Sequence, residues 1–188
     1  MNFRKEILEY QPINDQEIND KKIILDYIDH FYENILTRSN KVAHMTSSGL
    51  ILNDSLDKIL MIHHNIYNTW AWTGGHADGD NDMLKVALKE AKEETGVSNV
   101  VPLTDKLASI DIIPVYGHIK RGKYVSSHLH LNTSYILIAD EKEKLIINEE
   151  ETSDVGWINI SDLDKYSNEL YLIDIYNKII NRARKIKL

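Results

Sequence analysis

The sequence predicts an α/β protein of mixed α+β character, in which a mixed β-sheet carries helices on its faces. Three observations predict it: short β-type runs fill the middle of the chain, one amphipathic helical segment interrupts them near residues 82–95, and helical periodicity returns at both ends. With 188 residues and 43% hydrophobic composition, the chain can bury one core and is short for two. The expected organisation is an N-terminal helical extension over 1–41, a central domain over 42–165, and a C-terminal helix over 166–188 packed on that domain.

Pro12 and Asn14-Asp15 precede the first long helical segment, where Ile18, Ile24, Leu25, Ile28, Phe31, Tyr32, Ile35 and Leu36 recur at helical spacing between charged residues. From Val42 the pattern changes to strands over 43–52 and 58–63, joined by the turn-forming Asn53-Asp-Ser55 in hairpin order. Trp70-Ala-Trp-Thr-Gly-Gly75 reads as a third short strand. Asn81-Asp82 opens a helix that runs to Thr95 and stops at Gly96. Strands follow over 108–119 and 128–139, with a turn at Lys120-Arg-Gly-Lys123 between them and a charged loop at 140–144 behind them. A last strand covers 155–158, and helical sequence from Ser161, broken near Ser167-Asn168, continues to the C-terminus.

Bulk composition excludes several function classes. A net charge of −7 argues against a nucleic-acid polymer as partner, because phosphate backbones are held by clustered Lys and Arg. The one basic run, at 181–188, reads as a solvated helix end. No cysteine is present, which removes disulfides, thiolate metal sites and cysteine nucleophiles. No apolar run approaches the ~20 residues of a membrane span, and the first residues lack a signal-peptide core, so no membrane partner and a cytoplasmic location are expected.

The chemistry concentrates in Gly74 to Val97. Met83, Leu84, Ala87, Leu88 and Ala91 form an apolar stripe for packing on the sheet, and Glu90, Glu93 and Glu94 stand beside it at i, i+3 and i+4. Three like charges near the negative end of a helix dipole are each unfavourable by a few tenths of ~1 kcal/mol. A divalent cation reverses that sign. Clustered carboxylates suit hard Mg²⁺ or Mn²⁺, and Gly75 could add a bare carbonyl. Taken alone, Lys89-Glu-Ala-Lys-Glu-Glu94 is the solvated face of a surface helix, with Lys89 and Glu93 as an i,i+4 pair.

The whole segment resembles the Nudix box: glycine, five residues, glutamate, seven residues, then R-E-U-x-E-E-x-G-U with U aliphatic. Gly75 matches the first glycine, Glu90 the glutamate of the R-E pair, Ala91 the aliphatic position, Glu93 and Glu94 the E-E pair, and Gly96 and Val97 the ending. Asn81 replaces the first glutamate and Lys89 the arginine, whose forked hydrogen bond a lysine cannot reproduce. The resemblance extends to the acidic-then-Trp stretch from Glu149 to Trp157 and spans roughly residues 42–165. It implies a Nudix-type α/β/α sandwich and a hydrolase that cuts a diphosphate linkage in a nucleoside diphosphate derivative or similar small phosphorylated metabolite. Glu90, Glu93, Glu94, Gly75 and Glu150 are the implied ligands of Mg²⁺ or Mn²⁺, and Glu90, Glu93 and Glu94 the catalytic set. The proton acceptor is Glu93, Glu94 or a glutamate of residues 149–151.

His128 and His130 alternate along a strand and share a face with Asn132 and Ser134. With His76, which follows the glycines, and Trp72, they are the candidate substrate-binding residues; for Trp72 core packing is the favoured reading. His118, His128 and His130 are also a candidate three-histidine zinc set, weighed against ordinary hydrogen-bonding roles. An isopentenyl diphosphate isomerase, of similar architecture, relies on a cysteine that this chain lacks. The alternative is a weakly catalytic Nudix-fold sensor of a nucleotide-like ligand, which Asn81 and Lys89 would favour. Both a monomer and a homodimer are compatible with the sequence.

Overall fold

The structure is a computed structural model that describes residues 3–65, 68–120, 122–148 and 152–187. Two helices lead, α1 (Phe3–Glu9) and α2 (Asp15–Phe31), followed by β1 (Ala43–Leu52), β2 (Lys58–His64), β3 (Thr69–Ala71) and β4 (Thr73–His76). Then come α3 (Met83–Thr95), β5 (Val101–Pro102), β6 (Ser109–Val115), β7 (His118–Lys120), β8 (Lys123–Val125), β9 (His128–Ile138) and β10 (Thr152–Asn159). A 3₁₀ turn, Ile160–Asp162, leads into α4 (Leu163–Tyr166) and α5 (Leu170–Lys187).

The central pair is β1 and β9, parallel over their whole length from Ala43↔Leu129 to Leu52↔Ile138. Around it the sheet runs β10-β2-β1-β9-β5, with β3 added to β2, β4 to β1 and β6 to β9, every other pairing being antiparallel. A mixed sheet with a buried parallel centre is the predicted class. Alternation along β1 and β9 divides their side chains between two layers. Ala43, Met45, Ile51, Leu131, Tyr135 and Leu137 pack with α1, α2 and α3, whereas Leu50, Leu52 and Ile136 pack with α5 through Ile175, Tyr176 and Ile179. Helices therefore cover both faces.

Four details differ from the sequence reading. Helix α1 was not anticipated; it is held by Phe3 and Ile7, one turn apart and buried in the α3 layer. Helix α2 ends at Phe31, so Ile35 is buried from a turn, while Ile18, Phe31 and Tyr32 are exposed. The strand expected at 70–75 is two strands, because the chain leaves β2 at Ala71 and joins β1 from Thr73. The strand expected over 108–119 ends at Val115, and residues 118–120 and 123–125 instead pair as a separate two-stranded sheet, β7–β8, with Gly122 between them at φ 73°.

The sheet and α5 are joined by buried charge. Lys178 of α5 reaches Glu17 Oε1 at 3.0 Å and Asp111 Oδ1 at 2.7 Å, with both carboxylates fully buried and Arg182 standing 3.8 Å from Glu17. Such a network is costly to break, because each survivor is left as an unpaired buried charge. In the basic C-terminal run, Lys187 makes an exposed pair with Asp54 at 2.8 Å.

Candidate active site

Helix α3 is started by Asp82, whose carboxylate accepts from the Lys85 N–H at 3.0 Å, and stopped by Gly96, whose left-handed φ of 76° aims its N–H at the Lys92 carbonyl. Val86, Ala87 and Ala91 bury one face, and that rotation turns Glu90 and Glu94 toward β4. The Gly74 N–H donates to Glu94 Oε2 at 3.0 Å, which satisfies a carboxylate only 5% exposed. A Cβ on Gly75 would lie 2.4 Å from Glu90 Cδ. Glycine there lets the Glu90 side chain lie against the strand backbone, a placement that a Cβ would displace.

Glu93 stands outward with its side chain half exposed. Lys89 Nζ sits 3.1 Å from Glu90 Oε1 and 3.1 Å from Glu93 Oε2, and its hydrogen bonds to Glu93 and Glu90 raise its pKa. In place of an arginine fork, a single ammonium bridges two of the three carboxylates.

Glu90, Glu93, Glu94, Gly75, His76, His128, His130 and Trp72 all border one cleft of about 860 Å³. Its floor is polar: Thr46 Oγ1 and Ser48 Oγ donate to Asn132 Oδ1 at 2.8 and 3.0 Å, and Asn132 Nδ2 donates to Ser134 Oγ at 3.0 Å. Trp72 is mostly core, 8% exposed and packed edge-on against Tyr176 with ring centroids 5.2 Å apart. Glu150, and with it Glu149 and Glu151, lies outside the described residues.

The histidine grouping differs from the expected one. His118 borders the cleft from β7, but the residues that gather with His128 and His130 are His44 and His76. Parallel pairing sets His44 of β1 beside His130, and β4 ends with His76 opposite Thr46. One nitrogen from each of the four imidazoles lies within 4.8 Å of the others. Burial, and next the charge of Arg38, pushes His76 down to about 3; burial, and next the His76 ring, pushes His130 down to about 2. His44 is lowered as well, chiefly by burial. At neutral pH these three rings carry no charge.

Sequence reasoning missed His44, because it stands in an otherwise strand-like run and its partners come from 32 and more residues away. It also missed the cleft cations Arg38, Lys41 and Lys120, and Glu169, whose carboxyl burial holds above its usual range. Arg38 forks onto Asp78, with Nε 2.9 Å from Oδ1 and a second bond from Nη2 to Oδ2, and holds that carboxyl below its ordinary pKa.

A strand carrying Gly74 and Gly75, laid against a helix that turns Glu90 and Glu94 toward it with Glu93 beside them, is the arrangement of one class of phosphoanhydride hydrolase. The chain belongs to the Nudix family: the family's NUDIX domain model matches residues 43–178. It is accordingly a Nudix hydrolase in class. No curated protein sequence matches it. Its fold is similar to a Nudix-family hydrolase from Clostridium perfringens, at 20% identity and a TM-score of 0.52 over 73% of this chain and 96% of that one. It is also similar to a MutT protein from Methanosarcina mazei Go1, at 15% identity and 0.53 over 76% and 96%, and to the E. coli dihydroneopterin triphosphate pyrophosphohydrolase, at 11% and 0.56 over 73% and 95%. At these identities the likeness concerns the fold alone.

Proposed function

We propose that the chain hydrolyses a diphosphate linkage in a nucleoside diphosphate derivative or a similar small phosphorylated metabolite, using Mg²⁺ or Mn²⁺. The observation that carries this reading is the packing of Glu90 and Glu94 of α3 against the backbone of Gly74 and Gly75, with Glu93 beside them at the cleft. The donor set fits a hard ion. Three carboxylates and a glycine carbonyl offer only oxygen, and no thiolate is available anywhere in the chain. Glu90, Glu94, Glu93 and the Gly75 carbonyl would hold it, with Glu150 as a further ligand. When bound, the ion supplies positive charge to the diphosphate and acidity to the attacking water.

The residues divide the remaining work by exposure. Glu94 is closed in by the Gly74 N–H and Glu90 by Gly75, so both orient and hold. Glu93, half exposed at the cleft, can take the proton from the attacking water. Lys89 keeps Glu90 and Glu93 together and screens their repulsion. The mostly buried edge of Trp72 and the wall of His76, His128 and His130 face the remainder of the substrate.

The test is release of nucleotide or phosphate from a panel of ADP-ribose, nucleotide sugars, dinucleoside polyphosphates and nucleoside triphosphates, with Mg²⁺ or Mn²⁺. Turnover abolished by chelator and reduced at least 100-fold in Glu93→Gln and Glu94→Gln is expected. Retained Mg²⁺ binding with no turnover on any compound would overturn hydrolysis in favour of a nucleotide-sensing domain.

A further inference from the structure

We infer that His44, His76, His128 and His130 form a second metal site in the cleft wall, taking a borderline transition-metal ion of the zinc class through four imidazole nitrogens. The inference is independent of the hydrolysis reading, because it concerns a nitrogen donor set rather than the carboxylates of α3.

Three strand ends build the site. His44 and His130 are register partners on the parallel β1–β9 pair, His128 precedes His130 by two residues on the same face, and His76 closes the group from β4 on the other edge of β1. Ring centroids are 5.0 Å apart for His44–His76 and for His44–His128, and 4.9 Å for His76–His130. A tetrahedral zinc with Zn–N of ~2.0–2.1 Å places its ligand nitrogens ~3.3 Å from each other. His128 Nε2 and His130 Nε2 are already at 3.3 Å. The full set lies within 4.8 Å, so side-chain rotations of roughly 1 Å complete the shell.

The outer contacts select the correct nitrogens. The Asn40 carbonyl lies 3.0 Å from His44 Nδ1, and the Ser126 carbonyl 2.9 Å from His128 Nδ1. A carbonyl can only accept, so each Nδ1 carries the proton and each Nε2 presents its lone pair to the group. His44 Nε2 is buried in a residue 4% exposed and has no hydrogen-bond partner among the described residues. A buried acceptor without a donor is costly, and a metal ion supplies what it lacks.

The chemistry of the donors sets the class of ion. Imidazole nitrogen suits zinc, copper or nickel, whereas Mg²⁺ prefers the oxygen cluster of α3. The cleft would then hold two kinds of ion on adjoining walls, since His76 directly follows Gly75. Four neutral ligands also leave the ion its full double positive charge, facing whatever anion enters.

The experiment uses the full-length protein stripped with chelator, then titrated with Zn²⁺ alone against a chromophoric competitor, and with Co²⁺ by visible absorption. One equivalent of Zn²⁺ is expected, together with the intense absorption of four-coordinate Co²⁺. His128→Gln, at the half-buried mouth, and His130→Gln should each weaken Zn²⁺ at least 100-fold, while Glu93→Gln leaves it unchanged within about threefold. His128→Gln alters only one partly exposed ring and keeps the test open if His130→Gln fails to fold. Zn²⁺ binding that is absent, that survives both histidine changes, or that disappears in Glu93→Gln would overturn the assignment.

Discussion

Gly75→Ala separates the geometry of the acidic helix from the stability of the fold. The added Cβ would lie 2.4 Å from Glu90 Cδ and 2.7 Å from its Cγ and Oε1, and no other atom is as close. Carbon atoms require ~3.5 Å, so the carboxyl of Glu90 must retreat by ~1 Å. It can do so cheaply, because it is the far end of a flexible side chain, and Gly75 does not occupy the left-handed region that alanine resists. Retreat breaks the 3.1 Å contact with Lys89 and moves a proposed ligand off its position. A displacement of ~1 Å in a catalytic array costs on the order of 100-fold in rate, or ~2.7 kcal/mol in the barrier. The fold should lose less than about 1 kcal/mol, a melting shift of ~2–4 °C at this chain length. Steady-state turnover, Mg²⁺ titration and thermal unfolding would be compared with the parent protein. Turnover within threefold of the parent would refute the placement of Glu90, and a collapse in melting temperature would refute the claim that only a side chain has to move.

Two further changes test the scaffold. Lys178→Met leaves Asp111 buried without its cation and Glu17 with only the more distant Arg182, and a loss of about 3–5 kcal/mol is expected by chemical denaturation. Burial raises the Asp111 pKa above its unfolded value, so the stability linked to that group is present below the unfolded value near 3.8 and is lost as pH rises through the folded one. Lys178 opposes that rise, so the gap between variant and parent should narrow from about pH 7 to about pH 4; a pH-independent gap would count against the network. Gly96→Ala combines strain at φ 76° with a Cβ placed 2.6 Å from Ile146 Cβ and 2.8 Å from the Ile146 backbone nitrogen, which cannot swing aside. A loss above about 1 kcal/mol is expected, read as a lower melting temperature, and an unchanged melt would contradict it.

What could be read in advance was whatever depends on near neighbours. Helix α3 announces itself through Asp82, Gly96 and the apolar stripe between them, all within 15 residues. Strands β1 and β9 show as strand-like runs because their core positions are buried on both faces, and the trio Glu90, Glu93, Glu94 follows from helical spacing alone. Partner choice is different. Nothing near Trp72 records that the chain changes from β2 to β1 there, because the decision is made by edges that β1 exposes before Ile51 and β2 exposes after Leu60, where the two strands part. The same limit hid His44. Alternation could place it with Thr46 and Ser48, but only the parallel register with β9 puts it against His130, and a one-residue slip would turn it into the α3 layer. The expected set joined His118 to His128 and His130, and the separate β7–β8 hairpin is what keeps it out of the four.

The electrostatics of the cleft explain why carboxylates and imidazoles, rather than lysines and arginines, dominate a site proposed for an anion. Arg38, Lys41, Lys89 and Lys120 border it, yet Arg38 is committed to Asp78, and Lys89 is shared between Glu90 and Glu93. The lysine matters most. An arginine fork can hold a carboxylate through two N–H groups and leave its other oxygen lone pairs available, whereas an ammonium is a point charge that sits where a cation would sit. Lys89 thus makes the carboxylate trio tolerable without a metal, and it would compete with the proposed ion for the same oxygens. Metal affinity at α3 should be set by that competition. On the proposed reading, positive charge for a diphosphate would come from the bound ions, in keeping with the chain's net charge of −7.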